Sequence, residues 1–116
     1  MMTDETQFRQ TGHVVVVTLA GPDVSGLQMA ELVNEMTQRI RCDNTQFFVL
    51  DMNEIRFLDS SAIGALVGFL LDLEHVRGGL ALARCQSNVE FLFKATRLDT
   101  IVRLFDEVDE AVEELV

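Results

Sequence analysis

The sequence predicts an α/β fold: one domain built on a mixed, mostly parallel sheet of four to five strands, flanked by about four helices. Two observations carry that prediction. Short apolar runs, HVVVVTLA at 13–20, QFFVLDM at 46–52 and LALARC at 80–85, have the apolar density of strands covered on both faces. Between them lie longer segments whose apolar residues recur every three or four positions, as on one face of a helix. Alternating strands and helices imply parallel pairing through right-handed crossovers.

The elements follow in order. Gln7 to Gln10 reads as a short strand paired to the valine-rich strand through a turn at Thr11-Gly12. Gly21-Pro22-Asp23 ends that strand. Ser25-Gly26 opens a helix over Leu27 to Arg41, with Met29, Leu32, Val33, Met36 and Ile40 on one face. Arg39 and Arg41 suit the negative end of its dipole, and Asp43-Asn44 closes it. After the second strand, Asn53 to Leu58 is a short connection carrying Ile55 and Phe57.

Asp59-Ser60-Ser61 then precedes AIGALVGFLLDLEHV, where Ile63, Leu66, Val67, Leu70 and Leu73 keep helical spacing. So apolar a helix is expected to be buried over most of its circumference, with Gly64 and Gly68 packed on the sheet. Arg77-Gly78-Gly79 turns the chain into the third strand. Asn88 is expected to cap a helix reaching Ala95, with Val89, Leu92 and Phe93 on one face. Ile101 to Leu104 is expected as a last short strand. Asp106 to Val116 forms an acidic closing helix with Val108, Ala111, Val112 and Leu115 inward. No repeat or linker interrupts the pattern, so residues 1–116 are expected to form a single domain.

Composition narrows the function. The chain has 116 residues, 48% hydrophobic and 24% charged, a globular balance. It contains no Trp or Tyr, so its core rests on Phe, Leu, Ile, Val and Met. Nineteen acidic against nine basic residues give a formal charge of −10. That charge repels nucleic acid and anionic membrane and steers in a partner with a basic face; it also serves solubility. No apolar run approaches the roughly 18–20 residues of a membrane span, so no direct membrane insertion is expected. The polar start MMTDETQFRQ lacks the apolar stretch of a signal peptide. Cys42 and Cys85 form no CxxC pair, and free thiols fit a cytoplasmic setting.

Catalytic signatures are missing. There is no HExxH, no GxxxxGK[ST] and no nucleophile in sequence beside His13 or His75. No enzyme activity, metal site or cofactor is therefore expected. Asp59-Ser60-Ser61 remains the informative stretch, and it has two readings. Asp and Ser are preferred helix caps, and capping alone accounts for them. A hydroxyl in the first turn of a helix is also presented at the surface, where a phosphate would meet free backbone N–H groups and the positive end of the dipole. Phosphorylation there would leave the domain folded and add nearly two negative charges beside Asp59.

The stretch from Phe47 to Asp106, with DSSAIGAL after FFVLDMNEIRFL, then GGLALA, then SNVEFLF and TRL, resembles the anti-sigma factor antagonist (STAS) family. The order and spacing hold from about Val14 to the end of the chain. The resemblance implies a mixed sheet flanked by helices and a partner-switching role. It implies that the unphosphorylated protein binds an anti-sigma factor that is also a serine kinase of the histidine-kinase-like ATPase fold. Phosphorylation breaks that complex, and a metal-dependent serine phosphatase restores it. The acceptor then falls on Ser60, with Ser61 a secondary candidate. Asp23, Asp59, Ser60, Ser61 and Ala62 become the partner-binding residues. Two positions depart from the family pattern: Ala62 stands in place of Gly, and Arg97 replaces the Gly of T-G-L. The family also includes members that are never phosphorylated, so an alternative is an accessory or scaffold subunit of a signalling or transport complex.

Overall fold

The computed structural model describes residues 6–115. Strand β1 (Gln7–Thr11) turns into β2 (Val14–Thr18). Next come β3 (Asp23–Val24), α1 (Gly26–Asp43), β4 (Phe47–Asp51), β5 (Phe57–Leu58) and α2 (Ser60–His75). The chain continues through β6 (Gly79–Ala83), α3 (Ser87–Ala95), a 3-10 turn at Leu98–Thr100, β7 (Arg103–Phe105) and α4 (Val108–Leu115). Five strands form one sheet in the order β1-β2-β4-β6-β7, antiparallel only between β1 and β2. The α/β fold and mixed, mostly parallel sheet read from the sequence are those found.

The four valines of β2 divide between two cores. Val15 and Val17 join the larger cluster with Met29, Met36, Leu66, Phe69 and Phe93 from the helices. Val14 and Val16 face the other way, into a smaller cluster completed by Ala111 and Val108 of α4. The period-two alternation of a strand was hidden because both faces carry the same residue. Within the larger core, Phe48 and Phe69 meet edge to face with ring centroids 5.5 Å apart.

Four details differ from the sequence expectations. Ala62, Leu66, Phe69 and Leu73 line the buried stripe of α2, while Gly64 and Gly68 are exposed, with open space where a side chain would stand. The two glycines therefore do not pack on the sheet, and α2 is buried on one stripe rather than around most of its circumference. Asn88 does not cap α3: Gln86 holds the cap position, without a side-chain bond, and Asn88 donates to the Arg56 carbonyl instead. The last strand runs two residues later than Ile101 because the 3-10 turn takes up the intervening chain, leaving Ile101 exposed. The connection before Asp59 is not plain loop: Phe57–Leu58 pairs in parallel with Asp23–Val24 as a second, two-stranded sheet.

Candidate functional site

The small β3–β5 sheet builds the site. Each of its strands runs straight into a helix cap, β3 into Ser25 and β5 into Asp59. Parallel pairing in register, Asp23 with Phe57 and Val24 with Leu58, therefore sets the starts of α1 and α2 side by side. Ser25 and Gln28 form a reciprocal capping box on α1.

Asp59 serves both helices. Its Oδ1 accepts from the Ala62 N–H at 2.7 Å, capping α2, and its Oδ2 accepts from the Gly26 N–H at 3.3 Å, at the start of α1. The two helix starts lie so close that a Cβ on Gly26 would overlap the Cβ of Ser61. Glycine at this position is thus a packing requirement.

The five residues singled out in the sequence converge here, with unequal access. Asp23 is exposed on β3, opposite Phe57. Ser60 is exposed at the first helical position of α2, and Ser61, also exposed, stands over Gly26. Ala62 is fully buried in the core, because the third helical position faces the sheet. Its side chain is therefore no partner contact; it contributes only its N–H to Asp59. Its backbone is not left-handed, so alanine in place of the family's glycine carries no backbone strain. Arg97 is different: at φ 64° and ψ 18° it occupies the left-handed conformation that glycine adopts freely.

The sequence missed what surrounds Ser60. Leu27 is 72% exposed and Phe57 59% exposed, close in the chain to Gly26 and Ser60 respectively. Apolar residues next to a cap motif were the only signal, and they do not reveal which way a side chain points. The Asn53–Leu58 segment is also held from α3. Gln86 Nε2 donates to the Asn53 carbonyl at 2.6 Å, and Asn88 donates to the Arg56 carbonyl. The Arg56 N–H reaches the Pro22 carbonyl at 2.8 Å. Behind the segment, buried Asp51 accepts from Arg84 Nε at 3.1 Å and from the Asn53 N–H at 3.2 Å. Beside that pair the Cys85 thiol is pushed up to about 12, first by burial and then by the carboxylates of Glu90 and Asp51.

His13 and His75 lie apart from this site. His13 lines a polar cleft of about 190 Å³ with Gln10, Asp43 and Phe47, at the opposite, amino ends of the strands. The His75 ring packs back on its own helix, with Nδ1 2.9 Å from the Leu71 carbonyl oxygen. Among the described residues, no group of three His, Cys, Asp or Glu side chains is placed to hold a metal ion. No helix among them is long and apolar enough to cross a membrane.

Known proteins share this architecture. A relative from Thermotoga neapolitana, named as an anti-sigma factor antagonist homologue, is 33% identical over 67 residues, 58% of this chain and 59% of the relative. The match thus spans less than two thirds of that relative's length. The crystal structure of a Thermotoga maritima protein named as an anti-sigma factor antagonist superposes with a TM-score of 0.84 at 20% identity, covering 97% of this chain and 95% of the other. The Bacillus cell fate determinant SpoIIAA in its phosphorylated form superposes with a TM-score of 0.74 at 20% identity, covering 96% and 99%. At those identities the superpositions establish a common fold. The STAS domain family model matches residues 5–111, which takes in the paired helix starts, the Asp59 cap and the whole five-stranded sheet: the chain belongs to the STAS domain family.

Proposed function

We propose that this chain is a phosphorylation-controlled antagonist of an anti-sigma factor, with Ser60 as the phosphate acceptor. Unphosphorylated, it binds an anti-sigma factor that is also a serine kinase; phosphorylated, it lets go, and a serine phosphatase resets it. The observation that carries this reading is the division of labour between Asp59 and Ser60. Asp59 caps α2 through Oδ1 and holds the start of α1 through Oδ2, so the exposed Ser60 hydroxyl is not the capping group.

The chemistry follows from the position. A phosphoryl group on the Ser60 oxygen would sit at the start of a 16-residue helix, where the dipole and first-turn N–H groups favour an anion. The fold accommodates it. A partner surface seated over Ser60 would not, because nearly two negative charges arrive next to Asp59. Nucleotide, metal and catalytic base for the transfer belong to the kinase, and this chain supplies only the hydroxyl. The relatives named as anti-sigma factor antagonists support the choice of partner class.

Intact-mass and phosphopeptide analysis of the protein recovered from its own cells tests the proposal. Phosphate on Ser60 in some growth or stress condition is expected. Unmodified Ser60 and Ser61 in every condition would return Asp59-Ser60-Ser61 to the role of a helix cap.

A further inference from the structure

Five large apolar side chains stand exposed among the described residues: Leu27, Phe57, Leu71, Phe91 and Ile101. Three of them fall on α1 and β5, which flank the start of α2, and on α3, which packs against β5. Leu27 is in the first turn of α1, next to Gly26, which touches Ser61. Phe57 is on β5, three residues before Ser60. Phe91 is in α3, whose start is tied to the chain just before β5 by the Asn88 bond to the Arg56 carbonyl. Val89 and Phe93 anchor α3 in the core, which turns Phe91 outward to 71% exposure. Neither helix propensity nor the core requires a phenylalanine there.

We infer that Leu27, Phe57 and Phe91 form an apolar docking arc beside Ser60 that seats a protein partner with apolar sockets in a basic surround, and that Phe91 on α3 is its outlying anchor. The inference rests on the Ser60 switch proposed above and extends it to a third helix. Charge selects the partner. The chain carries −10 overall. Around the arc Asp23, Glu54 and Asp59 stand against Arg56, while Arg84 is paired with Asp51 and Lys94 with Glu90. A second copy would bring the same negative charge, whereas a basic-rimmed protein is drawn in. Exposed aromatics that enter partner pockets behave as hot spots, each worth on the order of tenfold or more in affinity.

The test uses the whole chain in its own cells, with Ser60 phosphate occupancy as the readout. In Phe91→Ser, occupancy is expected to fall on the order of tenfold at unchanged thermal stability, because the side chain is exposed. Leu71→Ser, on the outer face of α2, is the control and keeps wild-type occupancy. Phe91→Lys is expected to fall below Phe91→Glu, since a basic surround repels lysine. Unchanged or raised occupancy in Phe91→Ser overturns the arc, and the reverse order of Lys and Glu overturns the basic partner. Wild-type protein without phosphate in any condition would instead remove the switch itself, and the occupant of the arc with it.

Discussion

The Asp59 carboxylate reaches across to the Gly26 amide at 3.3 Å while capping its own helix through Ala62 at 2.7 Å. One side chain thereby satisfies backbone donors at the starts of two helices. Asp59→Ala should lose both bonds and cost about 1–2 kcal/mol. Asp59→Asn keeps one acceptor and should cost less. Urea denaturation of the two variants checks the order; an Asp59→Asn variant as stable as the wild type would mean that the bond to α1 contributes nothing, and equal losses would mean that the retained acceptor contributes nothing.

Gly26→Ala drives a methyl group into Ser61. Overpacking of this kind costs about 1–3 kcal/mol. Pairing it with Ser61→Gly removes the obstructing atom, so the double variant should recover part of the loss. A double-mutant cycle by thermal denaturation reads the coupling, which vanishes if the two positions are independent.

Ser60→Asp should fold as the wild type does and fail to retain the partner. Ser60→Ala should hold the partner whether or not ATP is present, because only the acceptor oxygen is lost. Pull-downs from the protein's own cell extract, with and without ATP, separate the two. Intact retention by Ser60→Asp would count heavily against charge-driven release.

Arg97→Gly should stabilise the domain. The left-handed conformation costs a non-glycine residue about 1–2 kcal/mol, and the extra chain entropy of glycine returns about 0.5–1 kcal/mol of that. A net gain of up to about 1.5 kcal/mol follows. A shift of the urea midpoint to higher concentration at unchanged slope is the expected result; a lower midpoint would show that the arginine side chain contributes more than its backbone loses.

Stability should fall in alkali through Cys85. Its folded pKa of about 12 lies above the ordinary 9.0, so the unfolded chain releases this proton first as pH rises. The contribution is intact below about pH 9 and declines from there towards 12. Cys85→Ala should flatten that part of the pH–stability curve. Alkylation at pH 8 should modify the exposed Cys42 well before Cys85.

Much of this was legible in the sequence, wherever local chemistry decides. The Asp59 cap, the left-handed Asn44 that closes α1 and the alternation of strand with helix need only near neighbours. The β3–β5 sheet was not legible, because strands of two residues have no period and pair only across a long separation. Asn88 looked like a cap, yet a carbonyl 32 residues away claims its amide. The outward side of Gly64 and Gly68 is not legible, because a helix apolar on nearly every side gives no sign of which stripe the sheet will take. Ser60 could be picked out by its type and position, but the exposure of Phe57 and Phe91 depends on how three separate elements meet.

From β2 onward, each parallel strand is added on the same side of the one before, through β4 and β6 to β7. Every crossover therefore opens its helix on a common rim. Changes there can rewrite which surface the protein greets while the valines and phenylalanines beneath stay as they are. A lineage of such domains can acquire new allegiances by editing a handful of junction residues, with the hydrophobic interior inherited intact.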